Sequence, residues 1–365
     1  MTAASLTAVI AVLLVGVWSC VAPALTRPTL QFGVRVPPQH TGDAVIRRER
    51  RAYYWRAVAI VVCCTAAALA LAGTGSAGLT AAVLPAELAA GLGCFWLARE
   101  RIMTAKNTEG WYEGLRPAVT ADTSWRTKPL RFPVAWLIPP VAVLVATAII
   151  GVTRYPDLPS RIAVGFTASG APDRWARRSA WGAFSKVAGQ LWVTALWTGL
   201  LLIIYRSRPD TDASEGADST PRYRRFLAVY SRALLVLVTL VNVSLLLVAL
   251  RSWQVYRLSG IGAALPVLPG AAGLVILVAV AVRTGQAGAR LPGRRSPGPQ
   301  VNRDDDRFWK GGLIYINRDD PAIMVGNRFG VGWTPNLGNP RAWLLYGGIG
   351  AVIVALVVVR AVAGG

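Results

Sequence analysis

Glu87 is the residue whose type and position most clearly suggest a chemical role, because it interrupts an otherwise uncharged run at residues 78–98. A carboxylate near the middle of a membrane is costly, so it is expected to face protein or water. Two roles fit: a proton or cation site, or a protonated carboxyl that is hydrogen-bonded to a neighbouring helix. Its candidate partners are the polar side chains of other apolar runs, Gln190, Asn242 and Ser244.

Asp304, Asp305 and Asp306 form the longest run of acidic residues in the chain. Clustered carboxylates bind hard divalent cations, but this triplet lacks the spacing of an EF-hand loop. We therefore favour a solvated helix cap over a metal site.

The other reactive residue types are few and scattered. The only histidine, His40, has no ligand-type partner nearby in the sequence. The four cysteines all lie in apolar runs, where they are expected to behave as small buried hydrophobes: Cys20, Cys63, Cys64 and Cys94. The sequence contains no zinc-protease helix, nucleophile elbow, phosphate loop or dinucleotide fingerprint. It predicts a protein that is not an enzyme and holds no metal or cofactor.

A basic and aromatic segment precedes the second apolar run. Residues 47–51 contain four arginines and Glu49, and Tyr53, Tyr54 and Trp55 follow. Anionic headgroups attract each such arginine by about 1 kcal/mol, and aromatic side chains mark the membrane interface. We expect the segment to anchor the topology; the alternative is regulated binding of lipid or of a cytoplasmic partner.

The composition indicates that most of the chain lies in a membrane. Hydrophobic residues make up 54% of the 365-residue chain, charged residues only 16%, and the mean hydropathy is +0.44. Soluble proteins are less apolar and about 25% charged. The net charge of +21 would suggest nucleic acid for a soluble protein. Here the basic residues lie in loops between apolar runs, so the expected partner is the lipid bilayer and not nucleic acid.

Eight runs are apolar enough to span a membrane, which takes about 20 residues. They lie near residues 4–25, 57–73, 78–98, 133–152, 187–205, 233–250, 263–283 and 342–362. The fold class is therefore an all-α polytopic membrane protein with about eight transmembrane helices. Pro139 and Pro140 in the fourth run, and Pro266 and Pro269 in the seventh, could break their helices, as in some transporter sites.

The distribution of basic residues predicts the orientation in the cell membrane. With the amino terminus outside, 30 of the 39 Lys and Arg residues fall in cytoplasmic segments. Such an excess is the signature of cytoplasmic loops, so both termini are predicted to be extracytoplasmic. The loop 153–186 carries six basic residues although it lies outside, which indicates a structured segment.

The chain divides into membrane segments and the regions between them. The predicted boundaries are 1–152 (helices one to four), 153–186 (extracellular loop), 187–283 (helices five to seven), 284–302 (linker), 303–341 (cytoplasmic mini-domain) and 342–365 (helix eight). Residues 209–221 are acidic and lack apolar anchors, which predicts a disordered tether. The mini-domain before the last helix is small and mixed, with a strand at 313–316, a helical turn at 322–325 after an Asp-Asp-Pro cap, and a second strand or turn at 330–334.

Two segments resemble known families. The loop contains a pattern made of Leu158, Pro159, Ile162, Phe166, Gly170, Pro172 and Asp173. It resembles a bacterial membrane family catalogued as domain of unknown function 1648, which includes the immunity protein against the sporulation-delaying toxin. Ala163, Gly165 and Thr167 stand where the family pattern has proline, histidine and asparagine, so no role of that histidine carries over.

The mini-domain resembles a second family, domain of unknown function 5808. The resemblance rests on Asp304, Asp305, Asp306, Trp309, Tyr315, Asn317, Asp320, Pro321, Arg328, Gly330, Gly332, Trp333 and Asn336. Together the two resemblances imply a link to toxin immunity or envelope stress. The leading hypothesis is a non-enzymatic immunity or sensing protein, in which residues 153–186 meet an extracellular factor and the mini-domain 303–341 relays or anchors. Its expected partner, besides lipid, is an extracellular peptide or a cytoplasmic protein. The alternative is a small-solute or ion transporter that uses Glu87.

Overall fold

The structure is a computed structural model of the 365-residue chain. It describes residues 3–115, 117–118, 130–167, 170–207, 209, 211–212, 214, 219–256, 260–292 and 301–363. Parts of the predicted tether at 209–221 and of the linker at 284–302 lie outside the described residues. The described parts contradict both predictions: Asp212 is buried and accepts a hydrogen bond from Thr29 at 2.7 Å, and Gln286 is buried and accepts one from the backbone N–H of Arg27 at 2.9 Å.

Eight long α-helices account for most of the described residues. They are α1 (Ala3–Leu25), α2 (Ala44–Gly73), α3 (Ala77–Thr108), α4 (Ile138–Arg154), α5 (Ala180–Arg206), α6 (Ser219–Ser252), α7 (Leu268–Thr284) and α8 (Pro340–Ala363). In the described part of the chain, seven helical segments are long and apolar enough to cross a membrane, and a shorter apolar helix occupies Pro340–Ala355. The predicted multi-pass membrane fold is confirmed.

Three of these helices extend well past their apolar runs. At 1.5 Å per residue, the 30 residues of α2, the 32 of α3 and the 34 of α6 are about 45, 48 and 51 Å long, against about 30 Å of hydrocarbon. The first turns of α2 and α6, and the last turns of α3, therefore project beyond the bilayer. Hydropathy located the spans but not these polar extensions.

Three of the four paired prolines lie in the first turn of an α-helix, and the fourth, Pro266, lies in a preceding 3-10 segment. Pro139 and Pro140 lie in the first turn of α4. Pro266 belongs to a 3-10 segment, Gly260–Val267, that precedes α7, and Pro269 is the second residue of α7. A first-turn proline lacks only an N–H that the helix would leave unpaired. The prediction that these prolines break the fourth and seventh helices is wrong.

The chain folds as two compact units, and the first comprises residues 1–129, 207–226 and 281–342. Its helices α1, α2 and α3 pack against one another. Its strands are β1 (Leu30–Gln31) paired with β2 (Val34–Arg35), β3 (Pro117–Ala118) with β6 (Val301–Asn302), β7 (Trp309–Lys310) with β8 (Ile314–Tyr315), and β9 (Met324–Gly326) with β10 (Trp333–Pro335). All are antiparallel pairs except β3–β6. An aromatic core that includes Phe32, Tyr53 and Phe95 joins the β1–β2 turn to α2 and α3.

Within the mini-domain, the predicted first strand is present as β8 and the second as β10. The predicted helical turn at 322–325 is wrong, because this segment leads into β9, which pairs with β10. The Asp320 carboxylate does accept the backbone N–H of Ala322 at 3.0 Å, as a cap would. The local cap signal is real, but pairing with a strand that begins nine residues further along determines the structure.

The second unit comprises residues 130–206, 227–280 and 343–365. It contains α4, α5 and most of α6, α7 and α8. An antiparallel hairpin, β4 (Arg161–Phe166) with β5 (Pro172–Arg177), connects α4 to α5. A small apolar core made of Leu158, Ile162, Ala183, Ala249 and Trp253 seats the hairpin on α5 and α6.

Candidate functional site

The hairpin β4–β5 presents two different faces. Ile162 is fully buried and pairs with Ala176, so this face rests on the apolar core. On the opposite face, Arg161 lies directly across from Arg177, and Ala163 across from Trp175, whose side chain is 51% exposed. We call Arg161, Trp175 and Arg177 the exposed face of the hairpin.

The base and the tip of the hairpin are both fixed. Arg178 donates hydrogen bonds to the carbonyl oxygens of Pro156 (3.2 Å) and Leu158 (2.9 Å) at the base. Arg251, in the last turn of α6, donates to the Gly170 carbonyl at the tip and lies 4.2 Å from the centre of the Phe166 ring. The hairpin is thus attached to the end of a membrane helix.

The residues of the loop pattern have different structural roles. Leu158 and Ile162 belong to the apolar core under the hairpin, while Phe166 and Gly170 contact Arg251. Pro159, Pro172 and Asp173 are exposed. The sequence had no signal for Arg251, which lies 81 residues from its partner Gly170.

Gly165 has a steric reason to lack a side chain. A Cβ atom at this position would lie 2.5 Å from Nε of Arg174 and 2.6 Å from Oδ1 of Asp173. These two side chains also form an ion pair of 3.8 Å with each other. A histidine here would displace both.

A cluster of amides joins α4, α5 and α6 inside the same unit. Gln190 donates hydrogen bonds to Oγ1 of Thr147 (2.9 Å) and to the carbonyl of Asn242 (2.8 Å). Asn242 donates to the carbonyl of Pro140 (3.1 Å) and to Oγ1 of Thr194 (2.9 Å). Such bonds contribute about 0.6–2 kcal/mol each within a membrane. They hold together the three helices that carry the hairpin.

This cluster corrects one expectation. Gln190 and Asn242 were predicted as partners of Glu87, but they hydrogen-bond to each other in the second unit, whereas Glu87 belongs to the first. Ser244 instead accepts the backbone N–H of Gly270 at 3.0 Å. Neither carboxyl oxygen of Glu87 has a hydrogen-bond partner among the described residues.

In the first unit, the acidic triplet is the centre of a charge cluster. Arg328, with only 1% of its side chain exposed, bonds to both Asp305 and Asp306 and stacks on Trp309. It also donates to the carbonyl of Gly33 at 2.8 Å. The expected solvated helix cap applies to Asp304, which is exposed and accepts the backbone N–H of Asp306 at 3.1 Å. It is wrong for Asp305 and Asp306, whose carboxylates are engaged by basic side chains distant in sequence.

Two further cations complete the charge cluster. Nζ of Lys106, at the end of α3, lies 2.7 Å from carboxylate oxygens of both Asp304 and Asp306. Nε of Arg35 lies 2.8 Å from Asp305. The cluster therefore fastens the mini-domain to the β1–β2 turn and to the end of α3.

The electrostatics of the cluster favour ionised carboxylates. Burial by itself would raise the pKa of Asp305, but the Arg35 and Arg328 guanidinium groups outweigh burial and lower this pKa to about 2. For Asp306, burial is likewise outweighed by Arg328 and Lys106, so its pKa is lowered. Burial raises the pKa of Tyr112, whose ring lies 4.8 Å from Nζ of Lys106.

The other mini-domain residues predicted from sequence build its fold. Nδ2 of Asn336 donates to the carbonyls of Asn317 (2.8 Å) and Asp320 (3.0 Å). Tyr315 donates to Asp320 at 2.9 Å, and burial is the main reason why its pKa is raised to about 12. Of the remaining predicted residues, Pro321 is exposed and Gly330 and Gly332 have positive φ. The ring of Trp333, in β10, lies 5.8 Å from the ring of Phe226.

The basic segment before the second span also has an internal role. Its four arginines are exposed, as expected for residues at the headgroup level. Glu49 is 2% exposed and accepts a hydrogen bond from Arg101 of α3 at 2.9 Å. The segment therefore also joins α2 to α3.

Together these features define a multi-pass membrane protein with a hairpin packed on its helices and a mini-domain held by the charge cluster. A family model described as "Domain of unknown function (DUF1648)" matches residues 142–188, and one described as "Family of unknown function (DUF5808)" matches residues 318–343. Both resemblances are confirmed; the second match begins after the acidic triplet. Comparison with curated proteins and with solved structures gave no match.

Proposed function

We propose that the protein is a non-enzymatic membrane receptor of the toxin-immunity or envelope-sensing class, and that the exposed face of its hairpin binds an extracellular peptide. The observation that carries this proposal is the pair of arginines, Arg161 and Arg177, directly opposite each other beside exposed Trp175.

The chemistry of this face selects the kind of peptide. Like charges directly opposite on a sheet destabilise it by a fraction of a kcal/mol, and an anionic group between them removes that repulsion. Guanidinium groups bind carboxylates in a planar, bidentate manner. Trp175 adds an apolar surface next to the pair. The favoured partner is a peptide that has an acidic residue next to an apolar one.

The same proposal assigns sides to the membrane. The excess of basic residues in the other loops favours an extracellular hairpin, a cytoplasmic mini-domain and extracytoplasmic termini. In a variant without native cysteines, Arg174→Cys should react with an impermeant maleimide in intact cells. Lys310→Cys should react only after the cells are opened; the reverse pattern would contradict this orientation.

The binding role is tested by toxin challenge. Cells that express the protein are exposed to a panel of membrane-active peptides, alongside cells without the gene. We expect protection against at least one peptide, and loss of that protection in the double variant Arg161→Gln, Arg177→Gln. Two lost charge contacts of about 1 kcal/mol each lower affinity roughly thirtyfold.

Arg154→Gln provides the matched control, because Arg154 is an exposed arginine just before the hairpin but outside its paired strands. It should protect as well as the wild type at equal membrane abundance. Equal survival with and without the gene across the panel would remove the immunity proposal.

A second candidate is a transporter of an ion or small solute, favoured by the buried carboxyl of Glu87. Reconstituted wild-type protein should then move the solute across vesicle membranes, and Glu87→Gln should abolish this flux. Wild-type vesicles that move no ion or solute would exclude this second candidate and leave the hairpin proposal intact.

A further inference from the structure

Glu87 lies on α3 of the first unit, with its carboxyl close to Gly16 of α1. The residue is 3% exposed, and both carboxyl oxygens are buried. A Cβ atom placed on Gly16 of α1 would lie 2.5 Å from Oε1 of Glu87 and 2.5 Å from a methyl carbon of Val61 of α2. The carboxyl thus fills the notch left by the missing side chain of Gly16.

The surroundings of this carboxyl contain no compensating charge in the described part of the bundle. Two described thiols interact electrostatically with it, those of Cys20 on α1 and Cys64 on α2. Among the described residues, no basic side chain donates to its carboxyl. As stated above, neither oxygen receives a hydrogen bond from a described residue.

We propose that Glu87 is a proton-binding site whose carboxyl keeps its proton throughout the physiological pH range. An ionised carboxylate in apolar surroundings, with neither a cation nor a donor beside it, is far more costly than the neutral acid. A hard metal ion needs six or so oxygen ligands, and the described residues contain no group of three or more His, Cys, Asp or Glu side chains that could hold one. A proton needs only the carboxyl itself.

This assignment has a mechanical consequence. The carboxyl can release its proton to water only when α1, α2 and α3 separate enough to hydrate it, because an ion cannot be left in the closed notch. Proton release and opening of the bundle are therefore one coupled event. The inference does not depend on the hairpin proposal or on transport.

Infrared spectroscopy tests the protonation state directly. Full-length protein in lipid vesicles is measured from pH 5 to pH 9, and the Glu87→Gln spectrum is subtracted from the wild-type spectrum. We expect the carbonyl band of a protonated carboxylic acid at pH 7.5 and no carboxylate band. In an ordinary glutamate, the ionised form exceeds the protonated form about 1,000-fold at that pH.

The matched control is Glu100→Gln, which removes an exposed glutamate of the same helix. Its difference spectrum should contain a carboxylate band at pH 7.5. A carboxylate band in the Glu87 difference spectrum at this pH would overturn the proposal, whatever the result for the control.

Two further measurements test the notch itself. On transfer to heavy water, the Glu87 band should shift slowly, because the carboxyl is sealed; a shift complete within the mixing time would overturn the closed-site argument. Gly16→Ala, whose new methyl group would meet Oε1, should alter the frequency of the band. An unaltered band in a folded Gly16→Ala protein would also overturn it, since the carboxyl would then lie elsewhere.

Discussion

The charge cluster allows a prediction about how firmly the mini-domain is attached. In Arg328→Gln, Asp305 and Asp306 lose the guanidinium that bonds to both, and Gly33 loses a donor. Removing one partner of a buried ion pair costs about 3–5 kcal/mol. Because Arg35 and Lys106 remain beside the two carboxylates, we expect the lower end, about 3 kcal/mol.

This loss should appear as easier opening of the mini-domain. Proteolysis of a locally opened segment follows the population of the open form when closing is fast. A cost of about 3 kcal/mol raises that population roughly 100-fold, at 1.4 kcal/mol per factor of ten. We therefore expect chymotrypsin to cut the segment 308–333 about 100-fold faster in Arg328→Gln, measured on vesicle-embedded protein.

Two comparisons decide whether the cluster is the cause. Arg318→Gln removes an exposed arginine of the same mini-domain and should leave the cleavage rate unchanged. Adding Asp305→Asn to Arg328→Gln should recover part of the loss, since one uncompensated carboxylate is gone. If Arg328→Gln is cut within threefold of the wild-type rate, the cluster does not hold the mini-domain and the reasoning is refuted.

Three shorter predictions follow. The pKa of Asp305 is lowered from 3.8 to about 2, so its ionised form stabilises the folded state above pH 4 by about 2 kcal/mol. Thermal unfolding should show that this contribution is lost as the pH falls from 4 to 2. The variant Asp305→Asn should lack this acid dependence. Gln190→Leu should lower the thermal stability by about 1–2 kcal/mol, whereas Leu191→Ala, at an exposed neighbouring position, should lower it less. Equal losses of stability in the two variants would show that the amide cluster does not stabilise the helices. Gly33→Ala should destabilise the protein, because Gly33 has φ +75° and its Cβ would lie 2.4 Å from the Gly312 carbonyl, and Gly42→Ala, which meets no atom within 4 Å, should be neutral.

The membrane spans could be predicted because their signal is local. A run of apolar residues determines burial in lipid whatever the rest of the chain does. The helix starts at Ala44 and Ser219 had no such signal, because the first turns are polar and extend beyond the bilayer. The sequence therefore predicted where each span lies but not how far each helix continues.

The sites depended on contacts that no local pattern encodes. Asp306 meets Lys106 across 200 residues, and Arg35 meets Asp305 across 270. The sequence therefore predicted a solvated cap for the triplet, although the run of three carboxylates was itself recognised as a candidate site. Glu87, Gln190 and Asn242 were each identified as polar groups in apolar runs, but their pairing depends on helix packing.

One helix connects the two regions that have family resemblance, and this suggests a last test. Arg251, in the last turn of α6, fixes the hairpin tip within the second unit, while Phe226, near its start, lies 5.8 Å from Trp333 of β10 within the first. Between Phe226 and Arg251 the helix contains neither proline nor glycine, so no sequence-encoded kink interrupts it.

The hypothesis that α6 couples these two contacts predicts that a disturbance of the hairpin also changes β10. Arg251→Met removes the hydrogen bond at the tip, and we expect it to raise hydrogen exchange at 324–335 as well as in the hairpin. Arg154→Met, at an exposed arginine of the same region, should change neither. A faster-exchanging hairpin with an unchanged β9–β10 pair would show that α6 does not couple them, because coupling requires that both contacts respond to one element.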